Sequence, residues 1–147
     1  MKMLVIDPGL RTGWATFDFN KEYFDIVSSG EVYEGVKGVQ NLFSSLTDSY
    51  DVLVYEDFVL RGGVNGVNLA PVEVIGFLQS RQHLFKNVVK SSPSGRLVRC
   101  SDAVLKRLGV YVPGEPRRNE REAIRHGIIY LKDVVGNKQV LFDGFIQ

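Results

Sequence analysis

Residues 51–56 read Asp-Val-Leu-Val-Tyr-Glu, and residues 3–7 read Met-Leu-Val-Ile-Asp, closed at once by Pro8-Gly9. Each is a short apolar run that ends in a carboxylate. A strand buried on both faces reads this way, because helices packed above and below a parallel sheet leave no side for polar residues. Pro8 and Gly9 break the first run with a turn. The two runs are therefore expected to pair as parallel neighbours. That pairing brings Asp7 and Glu56 to the C-terminal edge of the sheet, where α/β folds usually place ligands.

Outward from these runs, residues 12–19 (TGWATFDF) and 23–33 (YFDIVSSGEVY) are rich in β-branched and aromatic residues and are separated by the polar turn Asn20-Lys21-Glu22. With the first run they predict three consecutive antiparallel strands. Between Lys37 and Tyr50, the residues Val39, Leu42, Phe43 and Leu46 fall at i, i+3, i+4 and i+7, the stripe of a crossover helix. After the glycine-rich stretch 59–68, Pro71 suits the first turn of a helix running to about Phe85. RLVRC at 96–100 predicts a short strand. Ser101 or Asp102 caps a helix through Leu108 that Gly109 stops, and a last helix runs from about Arg118 to Val135 with Gly136 at its end. The order β β β α β α β α defines an α/β class with a mixed five-stranded sheet, an antiparallel meander plus two parallel strands, flanked by helices. A chain of 147 residues suits one domain spanning 1–147.

The composition, 44% hydrophobic and 24% charged, is that of a folded globular protein and excludes a disordered tail or low-complexity array. No apolar run approaches the roughly 20 residues that span a bilayer, and the N-terminus lacks a signal-peptide core. No membrane partner is expected, and the location expected is cytoplasmic. The single cysteine, Cys100, excludes an internal disulfide and a cysteine-based zinc cluster from one chain. Charge is split along the chain. Residues 1–80 carry five basic and eleven acidic residues, whereas 81–147 carry thirteen basic and six acidic. A polyanion-facing surface built by the C-terminal half is one reading of this asymmetry, and a solvated helix face is the other.

Two convergent, half-buried carboxylates ask for a counter-charge. Oxygen ligands of this kind suit Mg²⁺ or Mn²⁺, and a pair of such ions about 3.5–4 Å apart can activate water and stabilise the leaving oxygen in phosphodiester cleavage. Taken singly, Asp7 also fits a residue capping the Pro8-Gly9 turn, and Glu56 an exposed strand end. The last helix places Asn119 and Glu122 three residues apart on one face, with His126 a turn beyond, which makes Glu122 the natural third ligand. Ala123 and Gly127 are small, as a close approach of helix to sheet requires. Arg118, Arg121 and Arg125 are candidate phosphate contacts near the metals, or members of a solvated face. His126 is a candidate for orienting water or shuttling a proton, or a hydrogen-bonded helix histidine. Lys106 and Arg107 are candidate nucleic-acid backbone contacts.

Three words in order carry a resemblance. IDPGLRTGWA at 6–15, VLVYEDF at 52–58 and NEREAIRHGIIYL at 119–131 resemble the first-strand, fourth-strand and C-terminal-helix motifs of the RuvC-like Holliday junction resolvases, particularly their small phage-type members. The likeness spans Lys2 to about Leu131. The first word is also similar to the phosphate loops of sugar kinases and actin-like ATPases, but those need a second large domain for which the chain has no room. The resemblance implies an RNase H-like fold and a structure-selective endonuclease cutting branched DNA as a homodimer, in the bacterial host cytoplasm if phage-encoded. It implies Mg²⁺ or Mn²⁺, two ions per active site, and no organic cofactor. Asp7 would bridge the ions, Glu56 and Glu122 would each hold one, and Asn119 would occupy the fourth acidic position. Phe58 or Arg61 would approach the junction centre to stack on or part bases. Two positions depart from the pattern: Glu122 stands where Asp is usual, and Asn119 where Asp or a histidine-like ligand is usual. An amide coordinates through oxygen but brings no charge, a deficit that Glu120 or His126 would have to offset unless Asn119 is an inactivating substitution. A YqgF-like RNA-processing nuclease and a junction-binding protein without catalysis are the competing readings.

Overall fold

The computed structural model describes residues 1–58 and 68–146. Five strands, β1 (Lys2–Asp7), β2 (Thr12–Phe19), β3 (Phe24–Val32), β4 (Val52–Glu56) and β5 (Asn87–Ser91), form one sheet in the order β3-β2-β1-β4-β5. β1, β2 and β3 pair antiparallel, while β1–β4 and β4–β5 pair parallel, so the mixed sheet expected from the sequence is the one observed. The helices are α1 (Val36–Ser45), α2 (Ala70–Ser80), α3 (Arg96–Arg99), α4 (Asp102–Arg107) and α5 (Arg118–Tyr130). α5 continues as a wider π-type turn over Leu131–Val135, which Gly136 ends in a left-handed conformation. Among the described residues no helix is long and apolar enough to cross a membrane.

The central strands are covered on both sides, which explains their unbroken apolar runs. Met3, Val5, Val52 and Val54 face Ala123, Ile124 and Ile128 of α5. Leu4, Ile6, Leu53 and Tyr55 face Val39 and Leu42 of α1 and Val74 and Leu78 of α2. Because side chains alternate along a strand, Asp7 extends the Met3–Val5 row and Glu56 extends the Val52–Val54 row. Both carboxylates therefore lie on the side of the sheet that α5 closes.

The fifth strand is not the one the sequence predicts. RLVRC was expected as a strand, yet Arg96–Arg99 is a single helical turn, and Asn87–Ser91 pairs beside β4 instead. That strand lies just beyond the expected helix to Phe85 and runs into the turn-rich KSSPSG at 90–95. α2 ends at Ser80, a short 3-10 turn follows at Gln82–Leu84, and Phe85 is already extended. β5 is an edge strand with Asn87, Val88 and Lys90 exposed, so it lacks the apolar signature of the buried strands. Ser101 caps α4 as expected, its hydroxyl accepting the Val104 N–H at 3.4 Å.

α5 approaches the sheet closely at two glycines. A Cβ on Gly127 would press against the ring of Phe17, and one on Gly13 would overlap the backbone carbonyl of Asn119. Gly13 is the cross-strand partner of Asp7, so the absence of a side chain there sets how near the first turn of α5 comes to the carboxylate edge. Gly13→Ala is expected to destabilise the fold by about 1–3 kcal/mol or more, because backbone has to move. Gly76→Ala in α2, where a Cβ meets nothing within 4 Å, is expected to stabilise by roughly 0.5–1 kcal/mol. Urea unfolding of the two variants checks both signs.

Candidate active site

Ile6 pairs with Tyr55, so Asp7 and Glu56 are the next residues of two parallel strands in register. Their proximity shows in their protonation. Burial pushes the Asp7 carboxyl well above the usual carboxylate range, and the charge and hydrogen bond of Glu56 and the charge of Glu122 push the same way, with Arg96 opposing weakly. On Glu56 burial also pushes upward, but the hydrogen bond and charge of His126, the hydrogen bond with Asp7 and the charge of Arg96 outweigh it and hold the carboxyl below its ordinary value. The two shifts run in opposite directions, as expected for neighbouring like charges in a poorly solvated site.

Glu122 comes to this edge from α5, as the sequence predicts, and arrives already paired. The Arg96 Nε donates to its Oε2 at 2.9 Å and the Arg125 Nε to the same oxygen at 3.2 Å. Arg96 is the residue that sequence reasoning missed in the site. It also donates to the Pro93 carbonyl at 3.2 Å, so it is held from both sides at the edge of the carboxylate group.

Arg125, expected as a phosphate contact, is instead an internal strut. Its side chain is 1% exposed; Nη1 donates to the Cys100 carbonyl at 2.6 Å, and Nη2 donates to Asp102 and Glu122. Burial acts to lower its pKa, but Asp102 and Glu122 overcome this and raise it. The cause is the environment of α5, which is covered on nearly every side from Glu122 to Tyr130; a helix in that setting has no solvated face on which Arg125 can meet DNA.

His126 is completely buried, and both ring nitrogens are engaged, Nδ1 with the Ser91 hydroxyl at 2.6 Å and Nε2 with Glu56 Oε2 at 2.7 Å. The role of orienting water or shuttling a proton is therefore corrected: the ring has no open nitrogen, and it holds Glu56. Asn119 is half-buried in the first turn of α5, its N–H donating to Glu31 Oε2 at 2.8 Å. Glu31 also accepts the Glu120 N–H at 3.1 Å and so satisfies two of the free amides at that helix start. Glu120 does not offset Asn119, since it turns away to accept from Ser29 and from two nitrogens of Arg117.

Among the described residues no three His, Cys, Asp or Glu side chains stand ready as a cation cage. The donor chemistry nonetheless fits a hard divalent ion: three of the four candidate ligands are carboxylates, and Asp7 and Glu56 form a half-buried acidic pair. Glu122 would join them by exchanging an arginine for the cation.

The candidate nucleic-acid contacts are scattered. Phe58 is exposed two residues after Glu56, and Arg118 is exposed at the start of α5. Lys106 and Arg121 stack on the Tyr111 ring at 4.7 and 5.4 Å, and Arg121 also donates to the carbonyls of Val112 and Gly114. Arg107 donates through Nε and Nη2 to the Gly144 carbonyl and ties down the C-terminal turn. Arg61 lies outside the described residues.

No family model and no curated protein matches the sequence. Solved structures do. RuvC from T. thermophilus in complex with a Holliday junction substrate superposes with a TM-score of 0.66 at 13% identity, covering 92% of this chain and 98% of that one. The fowlpox virus Holliday junction resolvase superposes with a TM-score of 0.62 at 14% identity, covering 91% and 100%. The chain shares the RNase H-like fold of these resolvases across almost its whole length.

Two outcomes follow from the ionisation of the site. A carboxyl whose pKa is raised by folding contributes stability that is full below its ordinary value and is lost as pH rises through the raised one. At neutral pH without cation, the Asp7 carboxyl is therefore a net cost, and Asp7→Asn is expected to raise Tm in EDTA by about 3 °C, or ~1 kcal/mol, a gain that vanishes in acid. Arg125→Ala is expected to lose about 3 kcal/mol, because it leaves the buried Cys100 carbonyl without its donor and takes one of two arginines from Glu122. Thermal melts across pH and urea unfolding measure these.

Proposed function

We propose that this chain is a divalent-cation-dependent endonuclease that cuts four-way and other branched DNA, with residues 1–147 forming one domain that acts as a homodimer. The observation that carries the reading is the convergence of Asp7 and Glu56 from neighbouring parallel strands on the side closed by Glu122 of α5. In support, the fold is shared with a RuvC solved on a Holliday junction substrate.

Asp7, Glu56 and Glu122 would hold Mg²⁺ or Mn²⁺, two ions per site, with the Asn119 amide as the fourth candidate. Bound there, the ions supply an activated water and charge stabilisation for in-line phosphodiester hydrolysis. The chain's own residues prepare the site. Asp7 presents a carboxyl whose ionised form a cation would favour, His126 keeps Glu56 in place, and α5 closes the same side of the sheet. Arg96, 29% exposed beside Glu122, offers a guanidinium to a phosphate once Glu122 turns to a cation. Two incisions across the near two-fold axis of a junction need two active sites, which a symmetric dimer provides.

One observation favours a second reading, binding without cleavage: Asn119 brings no charge, and two arginines already neutralise Glu122. An end-labelled four-way DNA junction incubated with the chain and Mg²⁺ separates the two. Cleavage is expected, with linear duplex and structured RNA left intact, and Asp7→Asn or Glu56→Gln is expected to slow it by at least about 10²-fold. Tight junction binding with no incision, unchanged in Asn119→Asp, would replace the nuclease with a junction-binding protein. Preferential cutting of RNA would make it an RNA-processing enzyme.

A further inference from the structure

We infer that Ser91 is a positioning residue for the cation site, fixing the Glu56 carboxylate through the ring of His126; the inference rests on the cation-dependent reading of Asp7 and Glu56 given above. Ser91 is the last residue of β5 and the register partner of Glu56. Asn87, Val88 and Lys90 of this edge strand are exposed, but Ser91 is buried. Its backbone is pinned as well, the Asp57 N–H donating to the Ser91 carbonyl at 2.9 Å.

His126 descends from α5 into the space between Ser91 and Glu56 and spends one ring nitrogen on each. An unpartnered nitrogen in a fully buried ring costs free energy, so the two bonds together dictate how the ring sits. A serine hydroxyl can donate to Nδ1 of a neutral ring or accept from Nδ1–H of a protonated one. In either state the Nε2–H is directed at Glu56. One carboxylate oxygen is thereby committed, and the group is presented to the site in a single orientation. Ligating carboxylates are commonly held by such outer contacts, whose loss weakens cation binding about 10–100-fold. The sequence of contacts, serine to histidine to glutamate, is not that of an acyl-transfer triad, because the ring meets Ser91 through Nδ1 and Glu56 through Nε2, the reverse of the triad arrangement.

The test combines Mn²⁺ calorimetry with ring ¹⁵N NMR on the full chain and its Ser91→Ala and Ser91→Thr variants. The chain has two histidines, so His83→Gln assigns the His126 signals. The expected result is a Ser91→Ala protein that stays folded by circular dichroism, binds Mn²⁺ about 10–100-fold more weakly and shows shifted His126 ring resonances. Ser91→Thr, which keeps the hydroxyl, is expected to restore both. Wild-type Mn²⁺ affinity in Ser91→Ala, or unmoved ring signals, would overturn the inference. A wild-type chain that binds no Mn²⁺ would instead overturn the cation reading beneath it, even with the ring signals of His126 as expected.

Discussion

Two carboxylates that cannot both be charged without help sit side by side at the ends of β1 and β4, and much of this molecule is arranged around that conflict. The strands are buried on both faces, their register places Asp7 next to Glu56, and alternation turns both toward α5. In a low-dielectric setting the repulsion is relieved by a shared proton or by a cation. A structure that keeps such a pair at a sheet edge gives up stability there, which is the usual mark of a site kept for function.

The surroundings give each acid a different partner. Glu56 has the His126 ring, backed by Ser91; Glu122 has Arg96 and Arg125; Asp7 has only its neighbours' charges. Asp7 is thus the carboxyl whose ionisation is most exposed to the presence of a cation. The helix that brings these partners together depends on close packing. Gly13 and Gly127 let α5 down onto the sheet, and Glu31 caps its first turn beside Asn119. The buried Arg125 strut then links α5 to the segment between α3 and α4, so the same helix builds both the core and the site.

The sheet and two of its acids were legible because their cause is local: an apolar run that stops at a carboxylate records double-sided burial and an exposed strand end. The small residues Ala123 and Gly127 told of the close approach of α5 for the same reason. What failed depended on contacts far apart in sequence. RLVRC reads as a short strand, but Gly95 in a left-handed conformation starts a helical turn there, and Arg99 fastens it by donating to the Ser92 and Ser94 carbonyls. That error concealed Arg96 and moved the strand whose last residue is Ser91. Arg125 and His126 read as surface and catalytic groups because the spacing of α5 gives no sign of the third layer, α3 and α4, that covers its outer side.

The central claim is that Asp7, Glu56 and Glu122 form a divalent-cation site. Anomalous diffraction from crystals soaked in Mn²⁺ tests it most directly. The account predicts manganese peaks coordinated by Asp7 and Glu56, with Glu122 turned from Arg96 to join them. Saturating Mn²⁺ that leaves no peak at this edge, with Glu122 still paired to both arginines, would contradict it.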